Sequence, residues 1–177
     1  MRTINSRLAV IIATLVLLGS VALAATPAAG QKETTDKVRK ELVTLPYFGV
    51  FDNLEYKIDG ATVTLYGQVV KPITRQDAER RIGRIEGIDR VVNNIEVLPV
   101  SGFDDSIRAR EYRTIFRTGG LYRYAMGANP SIHIVVRNGH VTLEGVVSNQ
   151  MDSRLANIAA GNVSGVFSVT NNLRVGS

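Results

Sequence analysis

The chain contains one short segment twice, at a spacing that duplication explains. Val63-Thr-Leu-Tyr-Gly-Gln-Val69 recurs as Val141-Thr-Leu-Glu-Gly-Val-Val147, at an offset of 78 residues. The offset continues downstream without a gap and pairs Asn93-Asn94 with Asn171-Asn172. A fixed period of this length indicates two copies of one structural unit, and each copy must bury an apolar face alone or against its neighbour.

The N-terminus has the organisation of a secretory signal peptide. Arg2 and Arg7 form a positively charged start, residues 8–18 form an apolar run, and Ala22-Leu23-Ala24 is a small-x-small cleavage site. We therefore predict a signal peptide over residues 1–24, cleavage before Ala25 and export to the periplasm. An uncleaved membrane anchor is the alternative, because the apolar stretch just reaches the lower length limit for a bilayer span.

Size, cysteine content and charge limit the possible functions. The 177 residues accommodate two modules of roughly 65 to 75 residues each, near the lower limit for a self-sufficient core. The sequence has no cysteine, so stability must come from packing within and between the copies. Residues 101–177 hold eight basic and five acidic side chains, whereas residues 25–100 hold eleven of each. An electrostatic partner should therefore prefer the second copy.

Hydrophobic periodicity predicts the order helix, strand, strand, helix, strand in each copy. In the first copy, Thr35-Asp36 is a candidate N-cap for the first helix, and Asp59-Gly60 is a candidate hairpin turn. In the second copy, Asn138-Gly139 is the corresponding turn. We predict an α+β fold of two tandem αββαβ modules, each a three-stranded mixed sheet with two helices on one face.

The predicted domains follow the signal peptide in order. They are a disordered segment over 25–33, module 1 over 34–99 and module 2 over 104–177. Three-stranded sheets leave one face open, and we expect the two copies to pack together over that surface. Tyr47, Phe48 and Phe51 of module 1 are expected to serve core or inter-module packing.

These residues and their order resemble the BON domain family, named for bacterial osmotically inducible and nodulation proteins. Each copy carries Val-x-Leu-x-Gly-x-Val on a strand, a helix, and then Gly-Val/Ile-x-x-Val-x-Asn-x-Ile/Leu-x-Val. The resemblance implies a non-enzymatic envelope protein that supports membrane integrity or osmotic stress tolerance and, in some members, binds anionic phospholipid. Some relatives are anchored by a lipidated cysteine, which this chain lacks, so stable outer-membrane attachment is not implied.

The first helix of module 2 carries the strongest candidate binding residues. Arg110, Arg113 and Arg117 fall in one narrow sector at 100° per residue, apart from a predicted core face of Ala109, Tyr112, Ile115 and Phe116. The loop that follows is about nine residues longer than in module 1. Its candidate lipid-binding residues are Tyr122, Arg123, Tyr124 and Met126. A solvated arginine row and a covered inter-module loop are the alternatives.

Four duplicated glycines are expected to be structural: Gly67, Gly145, Gly87 and Gly165. Asn93-Asn94 and Asn171-Asn172 are expected to hydrogen-bond at a strand irregularity. His133 and His140 lack converging carboxylates, and no phosphate loop or catalytic arrangement is present, so we expect no metal, no cofactor, no small-molecule substrate and no enzymatic activity. Export argues against nucleic acid as a partner.

Two hypotheses therefore remain. In the first, the protein binds anionic phospholipid head groups peripherally and supports the cell envelope. In the second, it is a protein–protein interaction module within a periplasmic or outer-membrane assembly and uses the same loop and the open sheet.

Overall fold

The computed structural model describes residues 27–127 and 129–176. The predicted signal peptide over 1–24 lies outside these residues. None of the helices within them is both long and apolar enough to cross a bilayer.

Module 1 has the predicted order of helices and strands. The elements are α1 (Pro27–Val43), β1 (Asn53–Asp59), β2 (Thr62–Val69), α2 (Pro72–Ile82), β3 (Arg90–Asn93) and β4 (Glu96–Val97). β2 lies at the centre of the sheet, antiparallel to β1 and parallel to β3 and β4. Gly60 and Ala61 form the hairpin turn, one residue later than predicted, because Asp59 is already paired with Thr62.

Module 2 repeats this topology. Its elements are α3 (Gly102–Arg117), a 3-10 helix (Leu121–Ala125), β5 (Ile132–Arg137), β6 (His140–Val147), α4 (Gln150–Gly161), β7 (Ser168–Asn171) and β8 (Arg174–Val175). Asn138 and Gly139 form the predicted two-residue turn, with φ of 51° and 78°. The α+β fold of two αββαβ modules is confirmed.

The third strand of each module is interrupted where the paired asparagines stand. The side-chain oxygen of Asn93 accepts from the Ile95 N–H, and its amide donates to the Arg75 carbonyl on α2. Asn171 does the same with the Leu173 N–H and the Ser153 carbonyl on α4. Each asparagine replaces lost strand hydrogen bonds and ties the strand to a helix, which confirms the predicted irregularity.

The first helix begins earlier than the N-cap prediction placed it. α1 starts at Pro27 and includes most of the segment 25–33 that we expected to be disordered. Thr34 and Thr35 donate their hydroxyls to the carbonyls of Gly30 and Gln31, four residues back. These are hydrogen bonds of a helix interior, so neither residue caps a helix. Proline is favoured in the first turn because its missing N–H would be unpaired there anyway.

Each module has its own apolar core, and the open sheet faces are mostly polar. Val63 and Leu65 of β2 are fully buried, while Thr64 and Tyr66, which alternate with them, point to the opposite face. In β6, Val141 and Leu143 are buried, and Thr142 and Glu144 alternate with them. The open faces are thus mostly polar, and the exception is Val135 of β5, which lies on the open side of the module 2 sheet and is buried. Module 1 contacts this side where Glu96 pairs with Arg137 at 2.8 Å.

The modules also meet through the segment that precedes β1. The Ile134 N–H of β5 donates to the Val50 carbonyl at 2.7 Å. Val50 and Phe51 pack against the core of module 2, and the Phe51 ring lies 6.4 Å from that of Tyr112. Phe48 packs on the core of module 1 and stacks near His133. The predicted packing role of these aromatic side chains is thus confirmed for Phe48 and Phe51, while Tyr47 is half exposed.

Gly67 and Gly145 lie in close contact with the backbone at the start of the preceding strand. Their φ angles are +108° and +118°, a region that side chains other than glycine rarely adopt. A Cβ added to Gly67 would lie 2.1 Å from the Asn53 carbonyl oxygen, and one added to Gly145 would lie 2.1 Å from the Ser131 carbonyl oxygen. Both contacts are with backbone, so the neighbouring atoms cannot rotate away.

Replacing Gly145 with alanine should lower the free energy of unfolding of module 2 by about 1–3 kcal/mol or more. A strained backbone alone costs that much, and the backbone clash adds to it. Urea unfolding would measure this change. Gly161→Ala is the matched control, since no atom lies within 4 Å of its Cβ position. Equal unfolding midpoints for the two variants would contradict the steric explanation.

Candidate functional site

The buried face of α3 differs from the predicted one. Its buried residues are Asp104, Ile107, Arg108, Glu111, Ile115 and Phe116. Ala109 is exposed, and Tyr112 is 41% exposed beside the inter-module contact. The sequence pattern misplaced this face because charged residues occupy three of the buried positions.

Two of these charged residues hold α3 against the β5–β6 hairpin. The Asp104 carboxylate accepts hydrogen bonds from the backbone N–H groups of Asn138 and Gly139, at 2.9 and 2.8 Å. Arg108 donates to the Val136 carbonyl at 2.7 Å and pairs with Asp105. These contacts satisfy backbone groups at the turn and at the edge of β5, and they set the orientation of α3.

The outer surface of the module 2 helices carries four arginines, which we call the arginine face: Arg110, Arg113, Arg117 and Arg154. Arg113, Arg117 and Arg154 are exposed, and Arg110 is half-buried. Across residues 27–127 and 129–176, none of the four forms a salt bridge with a carboxylate. Their positive charge is therefore available to a partner.

The corresponding surface of module 1 pairs many of its own charges. Lys37 bonds to Glu33 within α1, Arg80 to Asp77 within α2, and Arg81 to Glu41 between the two helices. Such exposed pairs contribute little stability. They do leave this surface with much less net positive charge, so the two modules differ in electrostatics although they share a fold.

The long loop after α3 is only partly available for binding. Leu121 and Tyr124 are buried in the core of module 2, whereas Tyr122 and Met126 are 61% and 67% exposed. Arg123 pairs with Asp152 at the start of α4 and donates to the Gly120 carbonyl. Tyr124 and Arg123, both predicted to bind lipid, therefore have internal partners.

Tyr124, Asp152 and Arg123 form one hydrogen-bonded network beneath the exposed surface. The Tyr124 hydroxyl donates to Asp152 and accepts from the Ser148 N–H at 2.8 Å. The Asp152 carboxylate also accepts from Arg123 and Asn149. The hydrogen bond from Tyr124, followed by those of Arg123 and the attraction of its charge, lowers the pKa of Asp152. The network fixes the loop to α4.

In module 1 a different side chain accepts a hydrogen bond from the backbone N–H that follows the second strand. Val70 corresponds to Ser148 at the offset of 78, and its N–H donates to the Asp52 carboxylate at 2.7 Å. Asp52 also accepts from the Gly49 N–H. Burial raises the pKa of Asp52, while both N–H groups oppose that rise. An acceptor for this N–H is thus part of the fold in both modules.

Three exposed apolar side chains lie on α4 and on the 3-10 helix of module 2, and two of them were not predicted from the sequence. Met151 and Ile158 of α4 are 59% and 60% exposed, and Tyr122 lies on the neighbouring 3-10 helix. Arg154 lies between Met151 and Ile158 at helical spacing. The sequence does indicate this surface, because Met151, Arg154 and Ile158 form a stripe on α4 opposite the buried Ala156 and Ala160.

Gly87 and Gly165 serve local geometry, and Gly165 lies beside one residue of the arginine face. Both have positive φ, +86° and +91°, in the turn before the third strand. A Cβ on Gly87 would meet no atom within 4 Å, while one on Gly165 would lie 3.3 Å from the Arg110 guanidinium. Gly165 thus lets Arg110 lie close to the turn, which explains why this arginine is less exposed than the others.

A polar groove of about 610 Å³ lies between the modules. Residues 53–56 of β1 form one wall, and His133, Glu144, Asn172 and Arg174 of module 2 lie opposite. The amides of Asn53 and Asn172 donate to Glu55 and Glu144 respectively. The groove is separate from the arginine face and lies on the open side of the module 2 sheet.

Removing the Tyr124 hydroxyl should destabilise module 2, because Tyr124→Phe leaves the Ser148 N–H and the Asp152 carboxylate short of a partner. The expected loss is about 1–3 kcal/mol. Tyr122→Phe is the matched control, since its exposed side chain has no such role and should leave stability unchanged. Thermal or urea unfolding measures both, and a similar loss in the two variants would contradict the assigned network.

Solved structures that match the chain include two from the type III secretion system of Chlamydia trachomatis. The structural protein CdsD matches at 12% identity and a TM-score of 0.31, covering 82% of this chain and 94% of that chain. Its C-terminal domain matches at 10% identity and a TM-score of 0.28, covering 80% of this chain and 96% of that one. Scores this low carry no argument about function. No curated protein matches the chain.

The family comparison is more informative. The model of the BON domain matches residues 31–99 and 123–177. The first match begins within α1 and spans the rest of module 1, whereas the second begins in the 3-10 helix and covers module 2 without α3. These matches cover more than half of the chain and fall on both copies of the repeat. The chain therefore belongs to the BON domain family, with two BON domains in tandem.

Proposed function

We propose that this protein binds anionic phospholipid surfaces peripherally through the arginine face of module 2. The observation that carries the proposal is the exposure of Arg113, Arg117 and Arg154 without a neighbouring carboxylate partner in the described structure. Membership of the BON family supports a non-enzymatic role at the bacterial envelope. The predicted signal peptide supports a periplasmic location.

The energetics require both charge and apolar contact. Each basic side chain near an anionic membrane contributes about 1 kcal/mol, so the three exposed arginines supply about 3 kcal/mol. Burial of one apolar or aromatic side chain adds roughly 1.5–3 kcal/mol. Tyr122, Met126, Met151 and Ile158 are exposed on the loop after α3 and on α4, and we propose that they supply it. The combination gives useful but reversible affinity, which suits peripheral attachment.

We propose a revised set of residues that contact lipid. Arg113, Arg117, Tyr122 and Met126 remain, and Arg154, Met151 and Ile158 join them. Arg110 contributes less because it lies half-buried near Gly165. Arg123 and Tyr124 act indirectly, because they hold Tyr122 and Met126 in place through Asp152.

Flotation on vesicles tests the charge term. The wild-type protein should float with vesicles that contain phosphatidylglycerol, should not float with phosphatidylcholine alone, and should lose binding as salt is raised. The Arg113→Gln, Arg117→Gln double variant should lose at least tenfold in affinity, in line with about 1 kcal/mol per arginine.

The matched control removes the same charge from module 1. Lys40 and Arg84 are exposed and form no salt bridge in the described part of the chain, so the Lys40→Gln, Arg84→Gln variant should bind almost as wild type. Equal losses from the two double variants would show that net charge alone drives binding and that the arginine face is wrongly placed.

The apolar term has its own variants. Tyr122→Ser with Met126→Ser should weaken binding at every salt concentration, because burial of apolar surface does not depend on screening. Tyr66→Ser is the control, since Tyr66 is 40% exposed on the open sheet face of module 1. A loss that disappears at low salt would contradict an apolar contribution.

The inter-module groove favours the second hypothesis, a protein–protein interaction within an envelope assembly. Glu55 and Glu144 line it with one asparagine amide each and no basic partner in the described residues. Absence of flotation on every vesicle, together with specific co-purification of an envelope protein that Glu144→Lys abolishes, would support this hypothesis over lipid binding.

A further inference from the structure

Glu111 is a carboxyl group sealed inside the core of module 2. Its side chain is 0% exposed, and neither carboxyl oxygen has a hydrogen-bond partner. Ile107 and Ile115, one turn away on either side of it along α3, are fully buried in the same apolar core. An ionised carboxylate here would have neither water nor a partner, so the fold favours the neutral form.

Module 1 has an apolar residue at the position equivalent to Glu111. The first helices align at an offset of 69, which pairs Asp36 with Asp105 and Leu42 with Glu111. Leu42 is buried in the core of module 1. Glu111 therefore occupies a place that an apolar side chain fills in the other copy, and the αββαβ fold itself does not require a carboxyl group there.

The charged groups around Glu111 do not compensate for its burial. On α3, the charge of Arg110 attracts it, while Arg108 is directed to Asp105 and the Val136 carbonyl. β5 contributes apolar side chains to the core. The 3-10 helix and α4 contribute Tyr124, Arg123 and Asp152, which bond to one another, and Asp52 of module 1 interacts with Arg108. Burial outweighs the attraction of Arg110 and raises the pKa of Glu111 to about 8.

We propose that Glu111 is a proton-controlled lock on α3. With its proton, the carboxyl group stays in the core and α3 holds the arginine face in position. Loss of the proton releases α3 from the core and weakens binding of that face to anionic lipid. The consequence at the membrane rests on the proposed function, whereas the lock itself does not.

The direction of the pH dependence follows from the burial of the neutral form. A glutamate released into water has its ordinary pKa near 4.5, and in the closed core the pKa is about 8. Stability from the neutral form is full below about pH 4.5 and is lost as the pH rises to about 8. The fraction of molecules with α3 released should therefore rise on the order of fiftyfold between pH 6 and pH 8.

The lock is tested on the exported protein and three variants. Glu111→Gln keeps the shape without a charge, Glu111→Leu installs the residue of module 1, and Glu144→Gln removes a half-buried glutamate of the open face as the control. The free energy of unfolding, measured with urea, should fall between pH 6 and pH 8 for the wild type and for the control. The two Glu111 variants should not lose stability over this pH range. Because all four proteins keep His133 and His140, a difference between them is due to Glu111.

Carbon-13 NMR titration of the wild-type glutamate carboxyls gives an independent measurement. A carboxyl signal that titrates near pH 8 and is missing in Glu111→Gln supports the lock, even if Glu111→Leu fails to fold. Titration of every glutamate near pH 4–5, or the same pH dependence of stability in wild type and Glu111→Gln, would overturn it.

Flotation on phosphatidylglycerol vesicles at pH 6 and pH 8 separates the two proposals. Wild-type binding should fall at pH 8, while Glu111→Gln should bind equally at both. If no protein floats but only the Glu111 variants escape the pH-dependent loss of stability, the lock stands and the proposed function fails. If wild type and Glu111→Gln float equally at both pH values, the proposed function stands and the control of binding by Glu111 is overturned.

Discussion

The hydrogen bond from the Ile134 N–H to the Val50 carbonyl joins the two modules. It places Val50 and Phe51 against module 2, and the edge and the core of that module depend on this contact. β5 is an edge strand, and an uncovered edge has unpaired backbone groups that invite association with other chains. Val50 covers part of this edge, and the Arg108 guanidinium covers the Val136 carbonyl further along. Because Val50 and Phe51 also enter the core of module 2, the second copy is completed by a segment of the first. This added apolar contact helps module 2 to form a stable core without disulfides at so small a size.

Duplication preserved the backbone and changed the side chains that satisfy it. The N–H after the second strand needs a buried acceptor in both modules, which is Asp52 in one and Tyr124 supported by Asp152 in the other. The solution in module 2 requires the longer loop, because Tyr124 reaches Ser148 from its 3-10 helix. The same loop then exposes Tyr122 and Met126. The structural requirement and the candidate binding surface therefore share one insertion.

The sequence was sufficient to predict what depends on local pattern. The repeat, both hairpins, the element order and the irregular third strand follow from alternation, turn residues and the offset of 78. Features that depend on distant contacts were missed. Arg123 was assigned to lipid because its partner Asp152 lies 29 positions away, and the buried face of α3 was misplaced because Arg108 and Glu111 look like surface residues in a helical pattern. The alignment of Glu111 with Leu42 carried the missing information, since a charge opposite a core leucine indicates burial.

The fold converts a modest excess of basic residues into a strongly one-sided surface. Module 2 has five acidic residues, but Asp104, Glu111 and Asp152 are buried, and Asp105 pairs with Arg108. Only Glu144 remains, on the opposite, open face of the sheet. The exposed arginines of α3 and α4 thus have no acidic neighbours on their own surface, although the net charge of the sequence is small. In module 1, Glu33, Glu41 and Asp77 pair with cations of the same two helices. The difference in electrostatics between the copies therefore arises less from how many charges each contains than from where folding places the acids.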